Sequence, residues 1–535
     1  MSAIAPPPSG RRCAPATPAD PGRRRATAAR AGSGAGRTDL AVAAGLTLLA
    51  LLWRLPRLGV TPGWDGDEGY NLDIAWHLLN GRAQVFALDY AFVQHPVLGY
   101  AVLAPLLGLF GPELWVGRAL SAVAGALACG ALYLAVALSG ARRAAVLAAL
   151  SLGGAHLAVA YSRLAYTYGL LLLWTALTLL ATVRWEGGRR RRDLWLAAGC
   201  AALGLLTDQA GVALPLFVAA RVLPRRRAAA LVLAAGLTPA LLAAADWGHT
   251  LGRVAGGGGE APAGAALARW LLNYFHLLRA EWWWPAAVAG LFCVRPMVAR
   301  RRLLTLSGLL VLPVFALREL DPFFRTGVPL LVPGAWGVGA LLDAGMRAAY
   351  ETVAPARAPG LRPAPAAARG RLWGALLVAL VVLLPLGLET GRTAGGLVAG
   401  FSLPIDWALV SAPDQATARR AAAFVNARGG PQSVVVVSPH VAWLYRARVA
   451  DFLQAAAAGG EPVAFYPPGL PPERFRFDPG PAGADFAVID AYWDRWAAES
   501  GPVRRLTDAV AAWPLVWSEG DVRVHQRPGA ARPAG

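Results

Sequence analysis

The sequence predicts a polytopic all-α membrane domain of about eleven transmembrane helices, with interfacial helices in the first outside loop and a small C-terminal α/β extracytoplasmic domain. The 535 residues are 56% hydrophobic, with a mean hydropathy of +0.45. Apolar runs of roughly 15 to 22 residues recur along the chain, as in polytopic membrane proteins. After residue 389 the hydropathy falls and strand-like segments begin. These observations divide the chain into a tail (1–38), a membrane domain (39–388) and a C-terminal domain (389–535).

The tail is rich in Arg, Ala, Pro and Gly. This composition is typical of a transit peptide or of a disordered cytoplasmic tail, and the second interpretation is favoured. Eleven apolar runs follow that are predicted to cross the membrane. They lie near residues 40–55, 115–139, 144–160, 166–183, 194–207, 210–222, 229–245, 283–297, 303–317, 326–345 and 372–388.

The net charge is +19, and arginine supplies all of the basic residues because the sequence contains no lysine. The arginines cluster between apolar runs instead of on one soluble face, so the basicity does not indicate nucleic-acid binding. Arginine-rich loops are expected on the cytoplasmic side of a membrane. They occur at residues 142–143, 189–192, 225–227, 300–302 and 357–371.

These loops all lie inside, together with the tail, only if the apolar run 95–110 does not cross the membrane. That run is short for a span and contains Pro96 and Pro105, so it is predicted to be an interfacial or re-entrant helix. The protein is therefore predicted to be a multi-pass plasma-membrane protein. Its N-terminus would be cytoplasmic and its C-terminal domain would lie outside the cytoplasm.

Three carboxylates follow the first span within four positions, at Asp65, Asp67 and Glu68. Charged groups at the mouth of a membrane helix are costly unless they face water or a site. An amphipathic helix follows and is predicted to end at Asn80–Gly81.

Three interpretations of these acids compete. One acid could be the general base of a transferase. The protein could be a transporter, although its spans carry almost no acid at mid-depth. The acids could also only cap the helix that follows them.

The C-terminal domain is predicted to contain an amphipathic helix over 413–427 and strands over 433–438 and 485–490, with a closing hairpin over 513–525. Among its aromatic and acidic residues, Asp490 to Trp496 could bind sugar, but ordinary packing is the favoured interpretation. Neither here nor elsewhere do His, Cys, Asp or Glu residues have metal-ligand spacing, so no metal and no cofactor are expected.

A series of short motifs resembles the GT-C membrane glycosyltransferases, most closely the branch of protein O-mannosyltransferases, aminoarabinose transferases and related bacterial enzymes. The resemblance covers roughly residues 38 to 345 and rests on the order and placement of motifs that are individually weak. The motifs are Asp67-Glu68, His95-Pro96-Val97-Leu98-Gly99, Leu109-Phe110-Gly111, Val116-Gly117-Arg118 and Ser162-Arg163-Leu164-Ala165.

The resemblance implies inverting transfer of a sugar from a polyprenyl-phosphate donor to a lipid, glycan or protein acceptor on the outer face of the membrane. It implies that Asp67 is the catalytic base and that Glu68, which matches the adjacent acidic residue of the family, is also catalytic. Asp65 would then be a neighbour or a helix cap. The expected substrate-binding residues are Asp65, His95, Tyr100, Arg118, Arg163 and Arg325. Arginine is suited to a leaving phosphate.

Two departures from the family pattern limit this expectation. Relatives often carry a second acid just after the Ser-Arg-x-Ala element, where this chain has Tyr166-Thr167-Tyr168. Protein mannosyltransferases usually end the His-Pro element with a basic residue, and this chain has Tyr100. A strict protein O-mannosyltransferase is therefore not expected. A lipid-linked sugar flippase or a non-catalytic relative remains an alternative.

Overall fold

A computed structural model describes residues 36–82, 84–89, 96–222, 281–316, 324–353, 365–399, 414–464, 466 and 469–530. Within these ranges a helix, or a pair of consecutive helical segments, occupies each predicted span. The predicted span 229–245 lies outside the described residues, as do most of the tail and His95. The first two spans are separated by two helices and a short hairpin.

The first half of the membrane domain comprises α1 (Arg37–Arg54), α2 (Gly66–Leu79), β1 (Gln84–Val85), β2 (Leu88–Asp89), α3 (Leu98–Phe110), α4 (Leu114–Leu138), α5 (Arg142–Gly154), α6 (His156–Ser162), α7 (Tyr168–Gly188), α8 (Arg191–Leu205), a 3₁₀ turn (Gln209–Val212) and α9 (Ala213–Val222). The second half comprises α10 (Trp284–Cys293), α11 (Met297–Ala316), a 3₁₀ segment (Phe324–Leu330), α12 (Leu331–Val353) and α13 (Pro365–Ala399).

Three helical segments are long and apolar enough by themselves to cross a membrane, among the described residues: Leu114–Leu138, Tyr168–Gly188 and Gly327–Tyr350. The pair α5 and α6 would be a fourth, although it bends by 56° between its two halves. The bend follows Gly153 and Gly154, and glycine has a low helix propensity. The sequence analysis treats α5 and α6 as one span, and the count of eleven spans stays a prediction.

Helix α3 begins after the proline of the His-Pro element and has 13 residues, with Pro105 inside it. At about 1.5 Å per residue it is roughly 20 Å long, which is too short to cross a hydrocarbon core of about 30 Å. Its length therefore agrees with the prediction that this segment does not span the membrane.

Small residues bring the helices of the bundle into close contact. A Cβ added at Gly290 of α10 would lie 1.9 Å from the carbonyl oxygen of Gly337 in α12. A Cβ at Gly339 would lie 2.4 Å from the carbonyl oxygen of Ala144 in α5. Membrane helices commonly approach through such residues, because lipid supplies no hydrophobic force that drives them together.

The C-terminal segment forms a five-stranded sheet with helices. Its elements are α14 (Gln415–Arg428), β3 (Val434–Val437), a 3₁₀ segment (Pro439–Leu444), β4 (Arg448–Asp451), α15 (Phe452–Ala458), a 3₁₀ turn (Pro472–Arg474), β5 (Phe486–Ile489), α16 (Ala491–Glu499), α17 (Gly501–Ala511), β6 (Leu515–Glu519) and β7 (Val522–Gln526). The strand order is β4-β3-β5-β7-β6.

Strand β3 is parallel to β4 and β5, whereas β5, β7 and β6 pair antiparallel. The strands lie where the sequence predicts them, except that β4 was not predicted. This strand has only four residues and begins with an exposed arginine, so it gives little hydrophobic signal. The domain boundaries and the location of this segment outside the membrane stay predictions.

The 3₁₀ segment Pro439–Leu444 of the C-terminal segment packs directly against α2. A Cβ added at Gly69 would lie 1.7 Å from the carbonyl oxygen of Pro439, so only glycine allows this approach. The side chain of Gln454 accepts a hydrogen bond from the backbone nitrogen of Ala87 (3.0 Å) and donates one to the carbonyl oxygen of Val85 (3.1 Å). The C-terminal segment thus holds both the helix α2 and the hairpin β1–β2, which lie between α1 and α3.

Candidate functional site

The segment with the three acids, Asp65 to Glu68, is called the acidic loop, and it forms a capping box at the start of α2. The Asp65 carboxylate accepts a hydrogen bond from the backbone nitrogen of Asp67 at 3.0 Å. The Glu68 carboxylate accepts one from the backbone nitrogen of Asp65 at 3.2 Å. Two of the three acids therefore satisfy helix N-terminal donors, as the capping interpretation predicts.

Glu68 also forms a buried ion pair with Arg118, which lies in the first turns of α4. Arg118 donates from Nε to Oε1 at 2.8 Å and from Nη2 to Oε2 at 2.6 Å. Both side chains are at most 1% exposed. The guanidinium also donates to the carbonyl oxygens of Leu58 (2.7 Å) and Gly63. Arg118 therefore binds the loop that precedes α2 as well as the acid inside it.

Arg163 also binds the loop that precedes α2. Its guanidinium donates to the carbonyl oxygens of two residues at the end of α1, Trp53 (3.2 Å) and Arg54 (2.8 Å). It also donates to those of two residues in the loop that follows, Pro56 (2.6 Å) and Thr61 (3.1 Å). The side chain is fully buried. Two arginines from separate helical regions thus fix the backbone between residues 53 and 63.

The turn that follows α6, residues 163–167, is hydrogen-bonded directly to the acidic loop, and we refer to it as the site turn. The backbone nitrogen of Ala165 donates to Glu68 Oε1 at 2.6 Å, and Asn71 donates to the carbonyl oxygen of Ala165 at 2.8 Å. The hydroxyl of Tyr166 donates to Asp65 Oδ1. The Asp-Glu and Ser-Arg-x-Ala motifs, which are almost a hundred residues apart in sequence, therefore form one site.

Asp67 differs from its two acidic neighbours in burial. It is partly exposed in the first turn of α2, whereas Asp65 and Glu68 are buried. An anionic side chain is favoured at a helix N-terminus because the backbone N–H groups there carry partial positive charge. The geometry therefore provides a partly accessible carboxylate on a rigidly held loop, and a general base needs such access to the proton that it removes.

The other predicted substrate-binding residues are placed less completely. Tyr100 is buried in α3, and this helix contacts the site turn, because a Cβ at Gly99 would lie 2.6 Å from the side chain of Thr167. His95 lies outside the described residues. Arg325 is described only in its backbone, within the 3₁₀ segment before α12. No three His, Cys, Asp or Glu side chains within the described ranges are arranged to hold a metal ion.

Comparisons with known proteins show what this chain is similar to in sequence and in fold. The model of the dolichyl-phosphate-mannose-protein mannosyltransferase family matches residues 94–247. The fold is similar to crystal structures of ArnT from Cupriavidus metallidurans. The undecaprenyl-phosphate complex has a TM-score of 0.57 and 15% identity, over 93% of this chain and all of that chain. The apo state has a TM-score of 0.54 and 16% identity, over 91% and 97%.

The Archaeoglobus fulgidus oligosaccharyltransferase, tethered to an acceptor peptide, is also similar in fold. Its TM-score is 0.53 at 15% identity, and the match covers 88% of this chain and 71% of that chain. The chain has the GT-C glycosyltransferase fold. The predicted resemblance is confirmed. No curated protein matches the chain in sequence.

Within this GT-C fold, an acid that the sequence analysis did not select lies beside the site turn. Asp208 is buried and accepts a hydrogen bond from the side chain of Thr167 at 3.5 Å and from the backbone nitrogen of Ala210 at 2.9 Å. Thr167 belongs to the Tyr166-Thr167-Tyr168 segment, where the family resemblance predicts a second acid. The structure thus brings the Asp208 carboxylate to the site turn from the connection that follows α8, about forty residues later in the sequence.

The C-terminal segment contributes a tyrosine to the same region. The hydroxyl of Tyr492 would lie 3.5 Å from a Cβ added at Gly66, between the first two acids. Burial raises the pKa of this hydroxyl far above its usual value, and the negative charges of Asp65 and Asp67 raise it further. Tyr492 therefore stays protonated beside the acidic loop. The sequence pattern includes Tyr492 among the residues that could bind sugar, but it gives no signal for this proximity, because Tyr492 lies more than 400 residues from the acidic loop.

Proposed function

We propose that this protein is a membrane glycosyltransferase that transfers a sugar from a polyprenyl-phosphate donor to a lipid, glycan or protein acceptor. The transfer would take place on the outer face of the plasma membrane. The GT-C fold supports the reaction class, and a lipid-linked donor suits a site at the end of a membrane helix bundle. Similar structures have been solved with undecaprenyl phosphate and with an acceptor peptide.

The observation that carries the proposal is the division of labour among the three acids. Asp65 and Glu68 are buried and bonded to the loop and to the site turn, whereas Asp67 is partly exposed between them. A loop that only capped a helix would not need two buried arginines and a second turn to fix it. We infer that this framework holds one carboxylate in position.

In the proposed reaction, the Asp67 carboxylate accepts the proton of an acceptor hydroxyl or amine. The acceptor atom forms a bond to the anomeric carbon, while the bond from that carbon to the phosphate oxygen breaks. The polyprenyl phosphate leaves with the electron pair of that bond. A single displacement of this kind inverts the anomeric centre.

The remaining residues receive different roles in this proposal. Glu68, Arg118 and Arg163 act as positioning residues, because their polar atoms already bind the loop and the site turn. This refines the expectation from sequence that Arg163, together with Arg325, holds the leaving phosphate and that Arg118 binds substrate. His95 and Arg325 stay candidates for the phosphate, since positive charge stabilises the charge that develops there.

The test uses purified protein in liposomes with radiolabelled polyprenyl-phosphate sugars and a lipid-extract acceptor. Asp67→Asn should lower transfer at least 100-fold while the protein still folds, because the amide cannot take the proton. Glu113→Gln is the matched control, since Glu113 is a partly exposed acid in the segment between α1 and α4 and is expected to be dispensable.

Full transfer activity in Asp67→Asn would refute the assignment of the base. Movement of the labelled lipid across the bilayer without any sugar transfer, in both the wild type and the variant, would instead identify a flippase. Comparing the glycolipids and glycoproteins of cells with and without the protein would then identify the acceptor.

A further inference from the structure

A cavity of about 230 Å³ lies at the end of the helix bundle opposite the acidic loop. It is lined by the C-terminal ends of α4 and α7 and by the beginnings of α8 and α11. Helix α4 carries Arg118 near its first residue and reaches the cavity at Leu138. Its 25 residues measure about 37 Å, so the cavity lies roughly one membrane thickness from the candidate active site.

The groups around the cavity have an excess of positive charge. Arg184, Arg190 and Arg302 line it together with Glu186 and Asp193. Arg221 and Arg192 border it through their ion pairs with these two acids. Five arginines and two carboxylates leave a net charge of +3.

Both carboxylates are already bound by arginine. Glu186 accepts from Arg221 Nε at 2.7 Å and from Arg302 Nε at 3.1 Å. Asp193 accepts from Arg184 Nε at 3.1 Å. Arg190, by contrast, has no carboxylate within ion-pair distance in the part of the chain that the structure describes. An anion would therefore meet arginine donors, while the negative charges are neutralised by their partners.

We propose that this cavity binds a phosphate group, carried either by an anionic phospholipid or by a soluble phosphate. Its volume is several times the roughly 30 Å³ of a water molecule, which is enough for a phosphate and adjoining atoms. Gly187 and Gly188 add no side chains that would fill it. Basic pockets between membrane helices on the cytoplasmic side bind acidic lipid headgroups, and the arginine distribution predicts that this end is cytoplasmic.

The experiment measures binding of phosphatidylglycerol to the full-length protein in neutral detergent by native mass spectrometry. Phosphatidylcholine serves as a lipid without net charge, and inorganic phosphate is titrated separately. The test variant is Arg190→Gln, which changes an exposed side chain and should not affect folding. The matched control is Arg143→Gln, which removes an exposed arginine at the same end of the bundle but outside the cavity.

Phosphatidylglycerol should bind Arg190→Gln about fivefold more weakly than the wild type, since one arginine contributes about 1 kcal/mol to such binding. The control should bind normally. Saturable binding of inorganic phosphate alone, lost in Arg190→Gln, would support the site with a soluble ligand.

Equal binding of phosphatidylglycerol and of phosphate by the wild type and Arg190→Gln would overturn the proposal. So would an equal loss in Arg143→Gln, because the effect would then reflect general surface charge. Neither result depends on the proposed transferase activity, which Asp67→Asn tests separately.

Discussion

Breaking the ion pair between Glu68 and Arg118 should be one of the most destabilising changes in the segment between α1 and α4. Removing one partner of a buried pair leaves an uncompensated charge and costs about 3–5 kcal/mol. Arg118→Gln leaves the Glu68 carboxylate with only the backbone nitrogens of Asp65 and Ala165 as partners among the contacts described above. Glu68→Gln leaves the buried Arg118 guanidinium without a negative partner. The single side-chain oxygen of the new glutamine must also replace two carboxylate oxygens that accept four hydrogen bonds.

The double variant Glu68→Gln/Arg118→Gln should cost less than the sum of the two single variants, by about 1–3 kcal/mol, because the second substitution removes the unpaired charge. The free energy of unfolding can be measured in mixed micelles with increasing SDS, by following tryptophan fluorescence. The control pair is Glu113 and Arg419, which are 3.9 Å apart and about half exposed. Exposed pairs of this kind contribute at most about 1 kcal/mol.

Strict additivity of the two single substitutions would refute this reasoning. So would single variants that are no less stable than Glu113→Gln, because the pair would then not act as a buried unit. Loss of stability without loss of transfer activity would separate the structural role of Glu68 from any catalytic role.

Two further predictions concern the C-terminal segment. Gly69→Ala should push this segment away from α2, because the new Cβ would lie 1.7 Å from the Pro439 oxygen. We expect faster limited proteolysis of this variant. The control Gly59→Ala, whose Cβ would meet nothing within 4 Å, should behave like the wild type. Burial raises the pKa of Asp451 to about 7 in the folded protein. The contribution of this carboxyl group to the free energy of unfolding is therefore full below about pH 4 and is lost as the pH rises towards 7. Asp451→Asn should remove up to about 4 kcal/mol of this pH dependence in unfolding titrations between pH 4 and 8; an unchanged pH profile would contradict the prediction.

Much of the local structure follows from short-range patterns. The helix after the acidic loop ends at Leu79, directly before the Asn80-Gly81 pair that predicts its end. Strands β3 and β5 are continuous apolar runs and were found from that property. The bend between α5 and α6 was missed, because hydropathy stays high across it and only two glycines mark the break.

The role of each acid could not be read from spacing. Asp65, Asp67 and Glu68 are equivalent as a sequence pattern, and each could have been the cap or the base. Their difference comes from Arg118 and Ala165, which are about 50 and 97 residues from Glu68. The same reason explains why Asp208 was not chosen, since its link to Thr167 spans 41 residues.

The sequence by itself determined that this protein is a helical membrane protein with an acidic helix start after its first span. Hydropathy and capping depend on neighbouring residues, so they can be read along the chain. The tertiary structure decided which acid remains partly exposed, that two buried arginines hold the loop, and that the C-terminal segment packs against it. These features arise from burial and from contacts between distant segments, and no local pattern encodes them.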